Sequence, residues 1–280
     1  MSATATTTHR DELATLGFTV IRGVIPADLL HSCEQVLKHW VEEMIAKWQR
    51  LGLLPQPPAE SDFRKRLLAA WQAAGQPRYE RSPRGELVKL APAQTFNILR
   101  HPALVSLAAE LLESDAIISH EIWNSRPKAP DQRFTDTPWH QDAQYFESQA
   151  NRPMVNMWFP LHAVDPGSSC LAVSPSHHRD GLYAKHNDET GFIGIRPEDQ
   201  QNLEEVPITM EAGDVLAFTN LTPHRAMPNR TSLMRWSMDL RFARHGDEDQ
   251  WPLGQGMVAR HPDASQLTTF EDWLATWNKR

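Results

Sequence analysis

Two cysteines, Cys33 and Cys170, are all that 280 residues offer for disulfides, so both read as reduced thiols inside a core rather than staples of a secreted scaffold. Long apolar runs are missing as well: nothing approaches the roughly 18 consecutive apolar residues of a membrane span. Residues 1–10 are polar and threonine-rich, with no apolar stretch of signal-peptide type. Positive charge is in deficit. With 28 Lys+Arg against 35 Asp+Glu the formal net charge is −7, which argues against nucleic acid or an anionic membrane as a partner, since both need a positive surface. A small anionic ligand stays compatible, because one buried arginine can hold a carboxylate on an acidic protein. Internal repeats and low-complexity tracts are absent too. These exclusions leave a globular protein, expected in the cytoplasm and long enough for one large domain.

What is present begins with an amphipathic helix. Over residues 27–51, Leu29, Leu30, Cys33, Val36, Leu37, Trp40, Val41, Met44, Ile45, Trp48 and Leu51 keep the three-to-four spacing of one buried face, between Pro26 as a start signal and Gly52 as a stop. Residues 17–24 (GFTVIRGV) read as a short strand before it. Further helices are expected near residues 63–74 and over 103–112. From about residue 116 the period changes. Short apolar runs at 116–123, 155–164, 169–173, 206–210, 215–220 and 234–242, separated by Pro, Gly, Asn and Asp, read as strands of a β-sandwich or barrel. A polar tail closes with a helix near 268–277. The order predicts one domain over 1–280: a helical part to about 115 packed outside a mainly β core at 116–243, then a tail at 244–280.

Histidine pattern carries the chemistry. Non-haem iron oxygenases hold Fe(II) on one face with two His and one carboxylate, leaving open positions for substrate and O₂. Two of those ligands can come as His-x-Asp on a strand, where residues i and i+2 point the same way. Alone the motif is weak, for it occurs six times here, beginning at His9, His140, His178, His186, His245 and His261. Context separates them. The first lies in a polar lead-in, before any core element is expected; those at 178 and 186 lie in charged, loop-like sequence; the last two follow the final expected strand. Only His140 and Asp142 fall inside the β block, amid TPWHQDAQYF, with His224 available late in the same block as a third ligand.

These residues resemble the phytanoyl-CoA dioxygenase family of Fe(II)/2-oxoglutarate oxygenases. The proximal unit Pro138, Trp139, His140, Gln141, Asp142 is similar to the family's Pro-Trp-His-x-Asp. Trp158 and the SPSH turn at residues 174–177 resemble the following strand and loop. The distal series Gly213, Asp214, His224, Asn229, Ser232, Arg235 resembles the family's Gly-Asp, strand, His, Asn, Ser, Arg, and the opening GFTVIRGVIP fits as well. The resemblance implies a double-stranded β-helix (a cupin-like jelly roll) with the N-terminal helices outside it. It implies Fe(II), 2-oxoglutarate and O₂ as cofactors, with iron on His140, Asp142 and His224. Arg235, eleven residues after His224, is at the family's spacing for gripping the far carboxylate of 2-oxoglutarate, a task suited to a planar fork of donors. Asn124 and Trp158 resemble cosubstrate contacts. Two departures stand out: the family's hydroxyl residue two after the distal His is Ala226 here, and its Glu-Asn-Gly turn is replaced by Gly167, Ser168 and Ser169.

The reaction so implied is hydroxylation coupled to decarboxylation of 2-oxoglutarate. Halogenating relatives carry a small residue where Asp142 stands, so the carboxylate points to oxygenation. Alternate strand positions add His120, Arg126, Gln144 and Arg241 as candidate substrate contacts, polar or cationic, which suits a small polar or anionic molecule. Nothing basic enough to clamp coenzyme A stands out, and oligomeric state is undetermined. Two rivals stay open: a cupin-like metal dioxygenase that does not use 2-oxoglutarate, which would leave Arg235 without a purpose, and a non-catalytic β-sandwich binding protein.

Overall fold

The computed structural model describes residues 8–79, 82–132, 135–145, 153–187, 189, 191–246 and 256–278. Seven α-helices are described: α1 (His9–Leu16), α2 (Ala27–Arg50), α3 (Phe63–Ala73), α4 (Arg84–Leu90), α5 (Pro92–Leu99), α6 (Pro102–Leu112) and α7 (Phe270–Asn278). The strands are β1 (Phe18–Ile21), β2 (Ile117–Ser119), β3 (Asn124–Ser125), β4 (Met154–Pro160), β5 (Leu171–Val173), β6 (Lys185–Asn187), β7 (Ile193–Ile195), β8 (Val206–Pro207), β9 (Val215–Thr219), β10 (His224–Ala226), β11 (Ser237–Arg244) and β12 (Met257–Arg260).

A large antiparallel sheet, in the order β1-β9-β4-β11-β2-β12 with β3 also paired to β11, faces a small one, β10-β5-β8; β6 and β7 form a separate hairpin. This is a jelly-roll arrangement, open rather than closed into a barrel. Strand alternation sorts the residues of the large sheet. Val155, Met157 and Phe159 of β4, Val215 and Ala217 of β9, and Met238, Leu240 and Phe242 of β11 join the helices in one apolar core. Their neighbours Trp158, Leu216 and Phe218 point the other way, into a second cluster with Leu171, Val173 and Ala226 of the small sheet. The functional cavity lies on that second side.

Helix α2 follows most of the expected pattern, burying Leu29, Cys33, Val36, Leu37, Trp40, Val41, Met44, Ile45 and Trp48, but Leu30 is only partly buried and Leu51, at the helix C-cap, is exposed. Both cysteines are free and buried. Among the described residues no helix is long and apolar enough to cross a membrane.

Several expectations need correction. The stretch around His9 is not a lead-in but a helix, α1, closed at its start by a capping box between Thr8 and Asp11 and burying only Leu13. Helices α4 and α5 escape notice in the sequence because each is about two turns long, too short for a repeating face. The polar tail contains a strand, β12, paired with β2. His186, read as loop, lies on β6, while its partner Asp188 falls outside the described residues.

One glycine ties the N-terminus to the functional side of the molecule. Gly17 ends α1 with φ +86°, and a Cβ there would lie 2.6 Å from His178 Nδ1 and 2.8 Å from Thr222 Oγ1. Thr222 Oγ1 and Thr219 N both donate to the Gly17 carbonyl, at 2.6 and 3.0 Å. Gly23 also has positive φ (+62°), but nothing lies within 4 Å of its virtual Cβ. Gly23→Ala should therefore cost only the left-handed backbone strain, about 1–2 kcal/mol. Gly17→Ala adds overpacking and should cost about 2–4 kcal/mol. Urea denaturation of the two variants measures the difference; equal costs would mean that the close approach at Gly17 is not real.

Candidate metal centre

His140 and His224 face each other as a single antiparallel bridge, each donating its backbone N–H to the other's carbonyl at 3.0 Å. The exchange sets the two imidazoles side by side, ring centroids 4.1 Å apart. Asp142 is not on a strand, as the His-x-Asp argument supposed; it opens a 3₁₀ turn, Asp142–Tyr145, which curls its carboxylate back toward the histidines. His140 Nε2 and Asp142 Oδ1 lie 3.7 Å apart. One ligand atom from each of the three buried residues falls within 4.8 Å of the others.

The donor chemistry fits a divalent metal. His140 Nδ1 is 2.8 Å from the Pro138 carbonyl and His224 Nδ1 is 3.0 Å from that of Thr222. A carbonyl only accepts, so each Nδ1 carries the proton and each Nε2 presents a lone pair, the tautomer a metal requires. Burial first, and then the neighbouring His224, push the His140 pKa down to about 3, which keeps that ring neutral. On Asp142, burial is outweighed by Arg241 and the two histidines, and the carboxyl is held down at about 2. Arg241 Nη2 bonds Asp142 Oδ2 at 2.8 Å and lies 3.4 Å from Asp239 Oδ2, leaving Asp142 Oδ1 for the metal. The residue between the ligands is also committed. Gln141 is buried, and its amide donates to the carbonyls of Gly181 and Leu221 at 2.8 and 2.7 Å while accepting from Tyr183 N.

His140 and His224 open into a cavity of about 550 Å³, mouth included, that also contains Arg235, Trp158 and Arg126. Arg235 precedes β11 and is bridged to Lys128 rather than lying on the strand itself. Its guanidinium is buried, sits 5.6 Å from the Trp158 ring, and donates to Ser237 Oγ and the Arg126 carbonyl. Its Nε is buried with no hydrogen-bond partner among the described residues, and burial followed by repulsion from Arg126 pulls its pKa down to about 10. No carboxylate among the described residues forms an ion pair with it.

Other sequence candidates lie elsewhere. Asn124 stands beside the cavity, donating to Asp239 Oδ2 at 3.1 Å and accepting from Ser82. Gln144 is spent on Gln141 N and the Tyr183 carbonyl. His120 lines a different cavity, with Trp273 and Trp277 of α7. Of the remaining His-x-Asp pairs, His178–Asp180 lies in a 3₁₀ turn against the end of α1, and at the surface the His261 ring nitrogen Nδ1 meets the backbone of Asp263.

Residues not singled out in the sequence also line the cavity: Lys128, Thr135, Thr137 and Asp239. Lys128 is 1% exposed, 2.7 Å from Asp136 Oδ1, and burial together with Arg235 lowers its pKa to about 8. The alternation Asn124, Arg126, Lys128 along one strand edge is the signal that could have found it. Thr137 Oγ1 accepts from Ala226 N at 3.1 Å, so a hydroxyl stands directly beside the alanine that replaces the family's hydroxyl residue.

Comparison with known proteins agrees with this geometry. Over 103 residues the chain is 33% identical to a methylphosphonate hydroxylase of Gimesia maris, a match spanning 37% of each protein. Over 128 residues it is 32% identical to the 1-deoxypentalenic acid 11-beta-hydroxylase of Streptomyces arenae, covering 41% of this chain and 44% of that protein. The fold is shared with EvdO2 of Micromonospora carbonacea var. aurantiaca, solved with 2-oxoglutarate: TM-score 0.55 at 20% identity over 96% of this chain and all of the other. The sequence profile of the phytanoyl-CoA dioxygenase (PhyH) family matches residues 15–237, and the chain belongs to that family.

Proposed function

We propose that this protein is an Fe(II)- and 2-oxoglutarate-dependent oxygenase that hydroxylates a small molecule. The observation that carries the reading is that His140 and His224, two of three residues with converging ligand atoms, share a cavity with a buried arginine whose Nε has no partner among the described residues. With iron bound, the site supplies oxidative decarboxylation: 2-oxoglutarate, O₂ and a substrate C–H give succinate, CO₂ and a substrate C–OH. His140, Asp142 and His224 would hold the metal. Arg235 would take the far carboxylate of the cosubstrate, with Trp158 as the wall that packs against it and Thr137 standing in for the missing hydroxyl at position 226. Asn124 acts beside the cosubstrate by holding Asp239. Leu171, Phe192 and Phe218 keep that end of the cavity apolar, which excludes water and strengthens the Arg235 pair.

Support also comes from the two relatives, which are by name hydroxylases, one of methylphosphonate and one of an acid. A dioxygenase that does not use 2-oxoglutarate would leave Arg235 buried without an anion. We read residues 1–280 as a single oxygenase unit: α7 packs back on α5 through Phe96 and Trp273, ring centroids 5.3 Å apart, and β12 extends the large sheet. Two buried thiols with no disulfide support a reducing compartment, the cytoplasm.

Two tests follow. His140→Ala, Asp142→Ala and His224→Ala should each abolish Fe(II) binding and succinate formation, while His178→Ala and His245→Ala keep both; a folded, iron-binding His140→Ala protein would refute the ligand set. Arg235→Leu leaves a buried carboxylate unpaired, a loss of about 3–5 kcal/mol, so 2-oxoglutarate should bind roughly a hundredfold or more weaker with Fe(II) affinity little changed. Arg235→Lys should recover only part, since an ammonium lacks the two parallel donors. Anaerobic titration of 2-oxoglutarate, followed by its charge-transfer absorption with Fe(II), reads both. An unchanged midpoint in Arg235→Leu would favour the cosubstrate-free dioxygenase.

A further inference from the structure

Of the cationic side chains around the cavity, two are held by carboxylates and Arg235 is assigned to 2-oxoglutarate by the reading above. Lys128 pairs with Asp136 and donates to the Met227 carbonyl; Arg241 sits between Asp142 and Asp239; Arg235 is braced by Ser237 and Trp158. Arg126 differs. Its backbone is fixed on the β11 ladder, with its N–H donating to the Ser237 carbonyl at 3.0 Å and its own carbonyl accepting from Arg235. Among the described residues, however, its guanidinium, which lines the same cavity as His140 and His224, donates no hydrogen bond and joins no ion pair.

Among the described residues, the carboxylate that favours its charge most is Asp239, which also lines the cavity. That carboxylate is already shared: Oδ2 receives Asn124 Nδ2 at 3.1 Å and faces Arg241 Nη2 at 3.4 Å. Its Oδ1 is buried without a partner, so no bond joins Asp239 to Arg126. Burial pushes the Arg126 pKa down, Asp239 opposes that, and Arg241 adds repulsion. The guanidinium stays charged, and because Arg126 is only half-buried, water can solvate it until an incoming oxyanion replaces that water. The cosubstrate's far carboxylate goes to Arg235 and its keto-acid end to the metal, which leaves Arg126 over.

We propose that the substrate of this centre is a small oxyanion, a carboxylate or a phosphonate, whose charged group is gripped by the free fork of Arg126 while a neighbouring C–H is presented to the metal. This rests on the oxygenase reading above and adds the substrate's class and the residue that selects it. The planar fork suits both acids, since each offers two oxygens to parallel N–H donors.

The test uses the full-length protein loaded anaerobically with Fe(II) and 2-oxoglutarate. Ethylphosphonate, propionate and the neutral propionamide serve as probes, and paramagnetic relaxation of their nuclei by the iron is followed by NMR. Relaxation by at least one of the two anions and not by propionamide is expected; the more tightly held of the two identifies the acid. Arg126→Gln should weaken that anion about tenfold or more. The 2-oxoglutarate midpoint should stay within about twofold, and Arg126→Lys should restore part of the anion affinity. Equal relaxation of propionamide, no anion relaxation in a protein with a normal charge-transfer band, or undiminished relaxation in Arg126→Gln would overturn the assignment. A shifted 2-oxoglutarate midpoint in Arg126→Gln would move the residue to the cosubstrate instead. Absence of the charge-transfer band in the unaltered protein would overturn the oxygenase reading itself, and the substrate assignment with it.

Discussion

Strand β11 is the constraint on which the molecule turns, because it must satisfy two environments with one period of two. Met238, Leu240 and Phe242 are buried in the core shared with the helices. Ser237, Asp239 and Arg241, alternating with them, are buried on the opposite side. A slip of one residue would bring charges into the helical core and Met238, Leu240 and Phe242 to the metal side, so register here is strongly specified. Seven paired positions on β4, Ser237 with Pro160 through Ala243 with Met154, hold that register across the full strand.

Asp239 and Arg241, the charges on the inner side of β11, are tolerable because Arg241 faces both Asp239 and Asp142. Breaking a buried pair by removing one partner is far costlier than never having built it. Arg241 illustrates the point: Asp142 and Asp239 hold it firmly charged, and it holds Asp142 ionised in return. The same contact fixes which oxygen of Asp142 is spent on protein and which remains for a metal. A single arginine on β11 thus links sheet register to ligand geometry. The loop side is fixed from the other direction, for Thr222, whose carbonyl orients His224, is itself bonded to Gly17 at the end of α1.

Much of this could be read from the sequence, and what could not has physical causes. The long face of α2 spans enough turns to declare itself, whereas α4 and α5, of seven and eight residues, do not. The strand runs were recognisable as short apolar stretches between turn residues. Strand β10 was not, since His224–Ala226 is three residues with an exposed-type Arg in the middle. Context among six similar motifs brought out His140, Asp142 and His224, which the fold does gather within 4.8 Å. The reasoning that Asp142 shares a strand face with His140 was wrong in detail, because a 3₁₀ turn and a strand can bring i and i+2 together equally well. Lys128 and Asp239 were missed because a charged residue on paper looks solvated until its buried partner is known.

That last limitation also explains why the informative feature of the pocket is an absence of partners and not a motif. Hydrogen-bonding groups in a folded interior are nearly always satisfied, so an exception marks a place where something else completes the structure. Here two of the exceptions share a place: Arg235 Nε and Asp239 Oδ1 are buried without a partner among the described residues, and both residues line one cavity. Satisfying them within the protein would have been easy for a sheet with so many polar neighbours, and would have stabilised it. The apolar side of the same sheet, packed against α2 and α6, offsets what the inner side forgoes. Stability is therefore concentrated on one face, which lets the other keep unpaired polar groups around the metal centre, as a site preorganised for ligands requires.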